Sequence, residues 1–256
     1  MTWNPDVYHH HREARSAPVR DLLAMLPDLP YGDIVDLGCG TGEHTRTLAE
    51  RFPEAQVLGL DSSAEMLAGA DARGLPNLRF EQGDILEVQG EYDLIFSNAA
   101  LQWLPDHPAL LARLWTHLRP GGVLAVQVPA NHDHASHRLL TDTANAFEAE
   151  LRGFTRFGTA HGHSPVLTPA AYAERLDELG AADITAISKV YPVVLPGAEG
   201  VLDWTRGTAL VPYLSRLNAE DGERFTATYL GHLRERWPDA RVFYAFTRVL
   251  FTALKG

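Results

Sequence analysis

From residue 17 to residue 130 the apolar positions switch repeatedly between a helical and an extended period. Residues 17–26 place apolar groups at helical spacing, with Ser16 as a cap and Pro27 as a stop. Ile34-Val35-Asp36-Leu37 is a short strand that runs into glycines. The pattern then predicts a helix over 43–51, a strand over 56–60, a helix over 63–72 and a strand over 78–81. It continues with a strand over 92–97, a helix over 108–118 ended by Pro120-Gly121-Gly122, and a strand over 123–128. Strands separated by helical stretches of about ten residues imply right-handed crossovers and a parallel sheet. Such a sheet binds ligands at the carboxyl ends of its strands, where strand order reverses.

After residue 130 the rhythm breaks. Residues 131–165 are loop-like and carry His132, His134, His137, His161 and His163. A helix is expected over 168–179, a strand with a bend near Pro192 over 184–195, mostly helix over 199–237, and a long apolar strand over 242–254. The late strands complete the sheet, and the long helical stretch between them reads as a lid. The expected organisation is one domain over 1–256, with a core of 17–130 and 168–256 and lid elements at 1–16, 131–165 and 199–237.

Composition narrows the function. The chain has 256 residues, 45% hydrophobic and 21% charged, which is ordinary for a globular protein. The net charge of −11, with no basic cluster, argues against a nucleic-acid partner. Lysine occurs only at 189 and 255, so nearly all positive charge is arginine, whose fork suits carboxylates. The single cysteine, Cys39, excludes an intrachain disulfide and a structural cysteine zinc site. Apolar runs reach about eight residues against the roughly 20 that span a bilayer, so no membrane association is expected. The first residues lack a basic stretch followed by an apolar core, so a cytoplasmic location is expected.

The strongest chemical signal is Asp36-Leu37-Gly38-Cys39-Gly40-Thr41-Gly42, which follows a strand and opens a helix. Glycines let the backbone turn sharply and approach a ligand closely. The spacing is G-x-G-x-G rather than the dinucleotide G-x-G-x-x-G, and Glu43 would sit poorly beside two phosphates. The loop therefore favours a ligand without a pyrophosphate. Asp61 ends the second strand, where a carboxylate accepts the two hydroxyls of a ribose. Asp84 follows the third strand in Gly83-Asp84-Ile85, placed to accept an adenine amino group with Ile85 against the ring. Ser97-Asn98-Ala99 ends the fourth strand and points toward the same crevice. Single strand-end acids are often mere loop caps. Three at successive strand ends beside a glycine loop make a site.

Together, Asp36 to Gly42, Asp61, Gly83-Asp84 and the strand at 92–97 resemble the class I S-adenosylmethionine-dependent methyltransferases. The resemblance covers residues 17–130. It implies a doubly wound, mostly parallel, Rossmann-like α/β sheet of seven strands with a helical lid, and S-adenosyl-L-methionine as cofactor. It further implies cofactor contacts from Asp36, Gly38, Gly40, Thr41, Gly42, Asp61, Ser62, Met66, Asp84, Ile85, Asn98, Ala99 and Trp103. A narrower resemblance runs along nearly the whole chain. Trp3-Asn4-Pro5, Tyr8, Arg12, Arg15, the run Leu101-Gln102-Trp103-Leu104-Pro105-Asp106-His107, Asp203-Trp204, Pro212-Tyr213-Leu214 and Phe246 with Arg248 are similar to the trans-aconitate 2-methyltransferases. That family methylates one carboxylate of a small tricarboxylic acid. The likeness implies that Trp3, Tyr8 and Arg12 fold over the cofactor. One position departs: where the family has arginine before the proline at 212, this chain has Val211.

Methyl transfer to a carboxylate needs no general base, because the acceptor is already ionised at neutral pH. The protein must align the reactants and neutralise the substrate's other charges. Arg12, Arg206 and Arg248 are the candidate partners for those carboxylates, and Arg206 is the candidate replacement for the arginine absent at 211. Trp204, Tyr213 and Tyr244 are candidate substrate contacts, with His132 just after the fifth strand. His132, His134 and His137 lack a convincing fourth ligand, so no metal is expected. Two other readings remain open. One is a small-molecule O- or N-methyltransferase that acts on another acceptor, with His132 or His107 as base for a phenol. The other is a non-catalytic cofactor-binding protein on the same fold.

Overall fold

A computed structural model describes residues 16–152, 154 and 164–256. Trp3, Tyr8, Arg12, Arg15, His161 and His163 lie outside the described residues. In chain order the elements are α1 (16–24), β1 (Asp33–Leu37), α2 (Glu43–Arg51), β2 (Gln56–Asp61), α3 (Ala64–Leu67), β3 (Leu78–Gln82), β4 (Tyr92–Asn98), α4 (His107–Thr116) and β5 (Leu118–Pro129). They continue with α5 (Ala135–Ala146), α6 (Glu148–Leu151), α7 (Pro169–Glu178), β6 (Ala181–Leu195), α8 (Gly197–Arg206), α9 (Val211–Leu214), α10 (Ala219–Arg236) and β7 (Val242–Lys255). Short 3-10 turns occupy Ile85–Glu87 and Leu101–Trp103.

The seven strands form one sheet in the order β3-β2-β1-β4-β5-β7-β6. Strands β1 to β5 pair in parallel, and β7 pairs antiparallel with β5. The chain moves outward from β1 to β3 and then returns to lay β4 on the other side of β1. That reversal puts the carboxyl ends of β1 and β4 side by side, where an open sheet of this kind holds its ligand. Ile34, Val35, Leu37, Leu94, Ile95, Phe96 and Leu124 are wholly buried. Such near-continuous apolar strands are what a sheet covered on both faces requires.

The described chain falls into two compact units. The first comprises residues 16–129, 165–189 and 248–256; the second comprises 190–247 and the described part of 130–164. Residues 190–198 and 238–247, expected with the core, therefore group with the expected lid elements. In the second unit α10 packs on α8 and α5, burying Leu140, Val201, Phe225, Tyr229 and Leu233.

Several boundaries differ from the sequence reading. The helix expected over 63–72 shortens to Ala64–Leu67, which buries no residue, so packing does not sustain a longer one. The Pro120-Gly121-Gly122 stop lies inside β5, because Tyr92 pairs with Leu118 while Leu94 pairs with Val123, and the irregularity absorbs the extra residues. The expected loop at 131–165 contains α5 and α6. Its histidines hid a helical stripe of Leu140, Thr143, Phe147 and Leu151, and His134 itself caps α5 by accepting from the Ser136 N–H. Pro192 stays within β6, the outermost strand, where a missing N–H is tolerated.

A buried pair ties α4 to α7. His107 is 2% exposed; its Nε2 lies 3.0 Å from the Leu101 carbonyl and its Nδ1 meets the Tyr172 hydroxyl. A carbonyl only accepts, so Nε2 carries the hydrogen and Nδ1 accepts from Tyr172. Burial pushes the His107 pKa below its usual 6.5, so this contribution to stability is present above 6.5 and is lost as pH falls below it. Tyr172→Phe would strand the buried Nδ1, a loss of about 1–3 kcal/mol. The expected result is a lower urea midpoint, while an unchanged midpoint would contradict this assignment.

Candidate functional site in the first unit

The glycine loop is tied down by its neighbours. The Gly38 and Cys39 N–H groups both donate to the Leu60 carbonyl, at 2.8 and 3.1 Å. Gly38 has φ 74, and a Cβ there would lie 2.2 Å from the Ala100 Cβ. Gly42, with φ 76, begins α2, and a Cβ there would lie 2.4 Å from the Phe80 ring. Both positions need a left-handed backbone and the absence of a side chain. Thr41 lies exposed between Gly40 and Gly42.

Asp61 joins this loop directly. Its Oδ2 accepts the Gly40 N–H at 2.8 Å and its Oδ1 accepts the Ser63 N–H at 2.9 Å. Each carboxylate oxygen keeps one lone pair for a further donor. Ser62 is exposed beside it, its carbonyl held by Gln82. Ser63 caps α3, which carries Met66, 46% exposed, with its methyl 3.2 Å from where a Gly40 Cβ would stand. Asp84 is exposed and commits one oxygen to the Leu86 N–H at 2.8 Å. The Ile85 side chain approaches Gly38, at 3.6 Å from its would-be Cβ. From β4, Ser97 donates to the Leu37 carbonyl, Asn98 and Ala99 follow, and Trp103 stands 47% exposed on the next 3-10 turn. The first unit thus gathers the described candidate cofactor residues around the carboxyl ends of β1, β2, β3 and β4.

Asp36 is the exception in orientation. It is 2% exposed and accepts the Thr45 hydroxyl at 2.6 Å, so it braces the start of α2 from below. Burial raises its pKa to about 7; the Thr45 hydrogen bond opposes the rise and the Asp61 charge adds to it. The folded chain therefore holds this proton more tightly than the unfolded one, and stability declines as pH rises from 3.8 toward about 7. In Asp36→Asn that decline disappears. Urea unfolding across this range should show the wild type losing ground to the variant as pH rises; parallel curves would contradict the assignment. Cys39 is half-buried, and burial pushes its thiol up to about 12, which makes it inert.

The candidate substrate residues are placed less uniformly. Arg248 is half-buried on β7 in the first unit, its backbone paired with Pro129 at the carboxyl end of β5. The others are in the second unit. Tyr244 is wholly buried with its hydroxyl 2.8 Å from the Ser136 Oγ, so its expected substrate contact is replaced by packing. Trp204 packs on Tyr244 and Phe246, and Tyr213 stacks on Phe225; both rings belong to that unit's core. Arg206 is exposed at the end of α8, 3.9 Å from Asp203. Val211 opens the separate α9 beyond Gly207, so Arg206 and position 211 do not share a helix. His132 is exposed, 3.3 Å from Asp133. His107 has both nitrogens engaged and is unavailable as a base. Among the described residues no group of His, Cys, Asp or Glu is arranged to hold a metal ion, and no helix is long and apolar enough to cross a membrane.

Sequence reasoning passed over Gln127 and Phe80. Gln127 sits in an apolar strand, where a buried amide is a signal worth reading. Phe80 gives no such signal, because its contact with Gly42 depends on the β2–β3 pairing.

A glycine turn after β1, bonded to the acid that ends β2, in a sheet of this order defines a class I S-adenosylmethionine-dependent methyltransferase. Residues 34–122 match the family model described as a methyltransferase domain. The fold is shared with geranyl diphosphate C-methyltransferase from Streptomyces coelicolor A3(2), at TM-score 0.55 and 16% identity over 98% of this chain and 82% of that one. A trans-aconitate 2-methyltransferase from Deinococcus radiodurans is 74% identical over 100% of this chain and 99% of its own length. One from Streptomyces avermitilis is 41% identical over 99% of this chain and 97% of its own. The chain belongs to the trans-aconitate 2-methyltransferase family.

Proposed function

We propose that this chain transfers a methyl group from S-adenosyl-L-methionine to a carboxylate oxygen of trans-aconitate, giving a monomethyl ester and S-adenosylhomocysteine. The acceptor in this reading is supported by the 74% identity to the Deinococcus radiodurans enzyme, and the methyl donor by the 2.8 Å bond from the Gly40 N–H to Asp61. That bond fuses the side-chain-free loop and the strand-end acid into one cradle, with carboxylate lone pairs left over for ribose hydroxyls. The residues fit the cofactor: the loop packs too closely on Ala100 and Phe80 to admit a side chain at Gly38 or Gly42, Asp61 is bonded to its middle, and Glu43 disfavours a pyrophosphate. When bound, the cofactor supplies a methyl group on a positively charged sulfur.

The chain's residues do the rest by binding and orientation. Asp61 accepts the ribose hydroxyls. Asp84, one oxygen of which holds the Leu86 N–H, would offer its other oxygen to the adenine amino group, with Ile85 beside the ring. Thr41, Ser62, Asn98, Ala99 and Trp103 border the same cradle. The acceptor carboxylate is ionised at neutral pH, so no side chain has to remove a proton. Alignment of two held reactants supplies about 7–11 kcal/mol of the barrier. Arg248, the half-buried cation beside the end of β5, is the partner for a carboxylate of the acid. One cysteine and no pairable thiol suit a reducing, cytoplasmic setting.

A panel of di- and tricarboxylates tests the reading. Trans-aconitate is expected to give the highest kcat/KM. Because Val211 replaces the family's arginine, a different small acid is the second reading, and a higher kcat/KM for another member of the panel would favour it. No turnover on any acid would overturn both.

A further inference from the structure

The end of β4 is organised by two buried glutamines. Gln127 on β5 pairs in register with Asn98 and is 1% exposed. Its Nε2 donates to the Asn98 Oδ1 at 2.9 Å, and its backbone carbonyl accepts the Ala99 N–H at 2.8 Å. The Ala99 carbonyl accepts the Gln102 Nε2 at 2.6 Å, and Ala99 is held at φ 55, an uncommon conformation outside glycine. The Gln127 Oε1 is buried with no hydrogen-bond partner.

The Gln127 Nε2–Asn98 Oδ1 bond sets which way the two amides point. So Gln127 donates, Asn98 receives, and the Asn98 Nδ2 is left over. Among the described residues no acceptor meets that Nδ2, although Asn98 is only half-buried and its neighbours Ser97 and Ala100 touch the glycine loop.

We propose that Gln127 is a positioning residue that turns the Asn98 amide so that its Nδ2 donates to a carboxylate oxygen of the bound ligand. The proposal rests on the reading above that Asn98 borders the methyl-donor site. The carboxylate belongs either to the amino-acid end of the methyl donor or to the acceptor acid. Gln127 acts only through Asn98, so removing it matters only while Asn98 is present.

The test is a double-mutant cycle in the full chain with Gln127→Leu, Asn98→Ala and the double variant. Binding of S-adenosylhomocysteine and of 5′-methylthioadenosine, which lacks the amino-acid end, is measured by calorimetry, and KM and kcat for the acceptor acid by initial rates. Each single variant is expected to weaken one carboxylate ligand by about tenfold, the value of one hydrogen bond to a charged group. The double variant is expected to stay within about twofold of Asn98→Ala, with methylthioadenosine binding unchanged. Weaker S-adenosylhomocysteine binding assigns the donor's carboxylate; a raised KM alone assigns the acceptor's. Effects that multiply, an equal loss for methylthioadenosine, or no loss in either single variant would overturn the proposal. Gln127→Met, which removes the donor but keeps the length of the side chain, gives the same readouts if the leucine variant does not fold. If the chain binds S-adenosylhomocysteine but methylates no acid, the functional reading fails, while the calorimetric cycle still decides the role of Gln127.

Discussion

Asp61→Ala is expected to weaken S-adenosylhomocysteine binding by more than about a hundredfold, because hydrogen bonds to a charged group contribute about 1.5–3 kcal/mol each and two ribose hydroxyls lose their acceptor. The loss has a second part. The Gly40 and Ser63 N–H groups both rest on this carboxylate, so the alanine variant also releases the middle of the glycine loop and the start of α3. Asp61→Asn separates the two parts, because its single carbonyl oxygen accepts in place of one carboxylate oxygen only. It is expected to bind with intermediate affinity. Calorimetry, with circular dichroism to confirm folding, reads both variants. An alanine variant that is folded and binds like the wild type would remove Asp61 from the site.

Gly42→Ala is the second large effect. A left-handed φ costs a residue with a Cβ about 1–2 kcal/mol. The added carbon would also stand 2.4 Å from the Phe80 ring, and that ring has no room to retreat: it also lies 2.5 Å from where a Cβ of Gly59 would be. Overpacking of this kind costs about 1–3 kcal/mol more. The expected outcome is a marked drop in the urea midpoint together with weaker cofactor binding, since Gly42 is where the loop enters α2. Phe80→Leu in the Gly42→Ala background trims the obstructing ring and should recover the steric share but not the backbone share. A single variant as stable as the wild type would show that the loop tolerates a side chain at this point.

Much of this site was legible in the sequence because its signals are local. A strand that runs into spaced glycines, and acids at the ends of successive strands, announce their positions without knowledge of the tertiary fold. Asp61 and Asp84 illustrate this: each lies where its strand pattern stops. Asp36 was legible as part of the motif but not in its orientation, since its burial beneath α2 and its bond to Thr45 depend on how the helix seats. The helix at Ala135–Ala146 was missed because histidine is an unusual cap and two of its three buried residues, Ser136 and Thr143, are polar. The aromatic residues Trp204, Tyr213 and Tyr244 looked like a pocket lining because large rings serve equally well in cores and in sites. Only packing separates the two uses, and here it puts Tyr244 in the core with its hydroxyl on Ser136. The expectation that Arg206 and position 211 share one helix was open to a local check in the sequence, since Gly207 ends the helix between them.

The most direct measurement is to incubate the chain with methyl-labelled S-adenosyl-L-methionine and trans-aconitate and then to identify the labelled product. The account predicts a singly methylated acid whose label is released by mild alkali, formed in equal amount with S-adenosylhomocysteine. Label that never leaves the methyl donor, from a chain that calorimetry shows to be saturated with that donor, would contradict it.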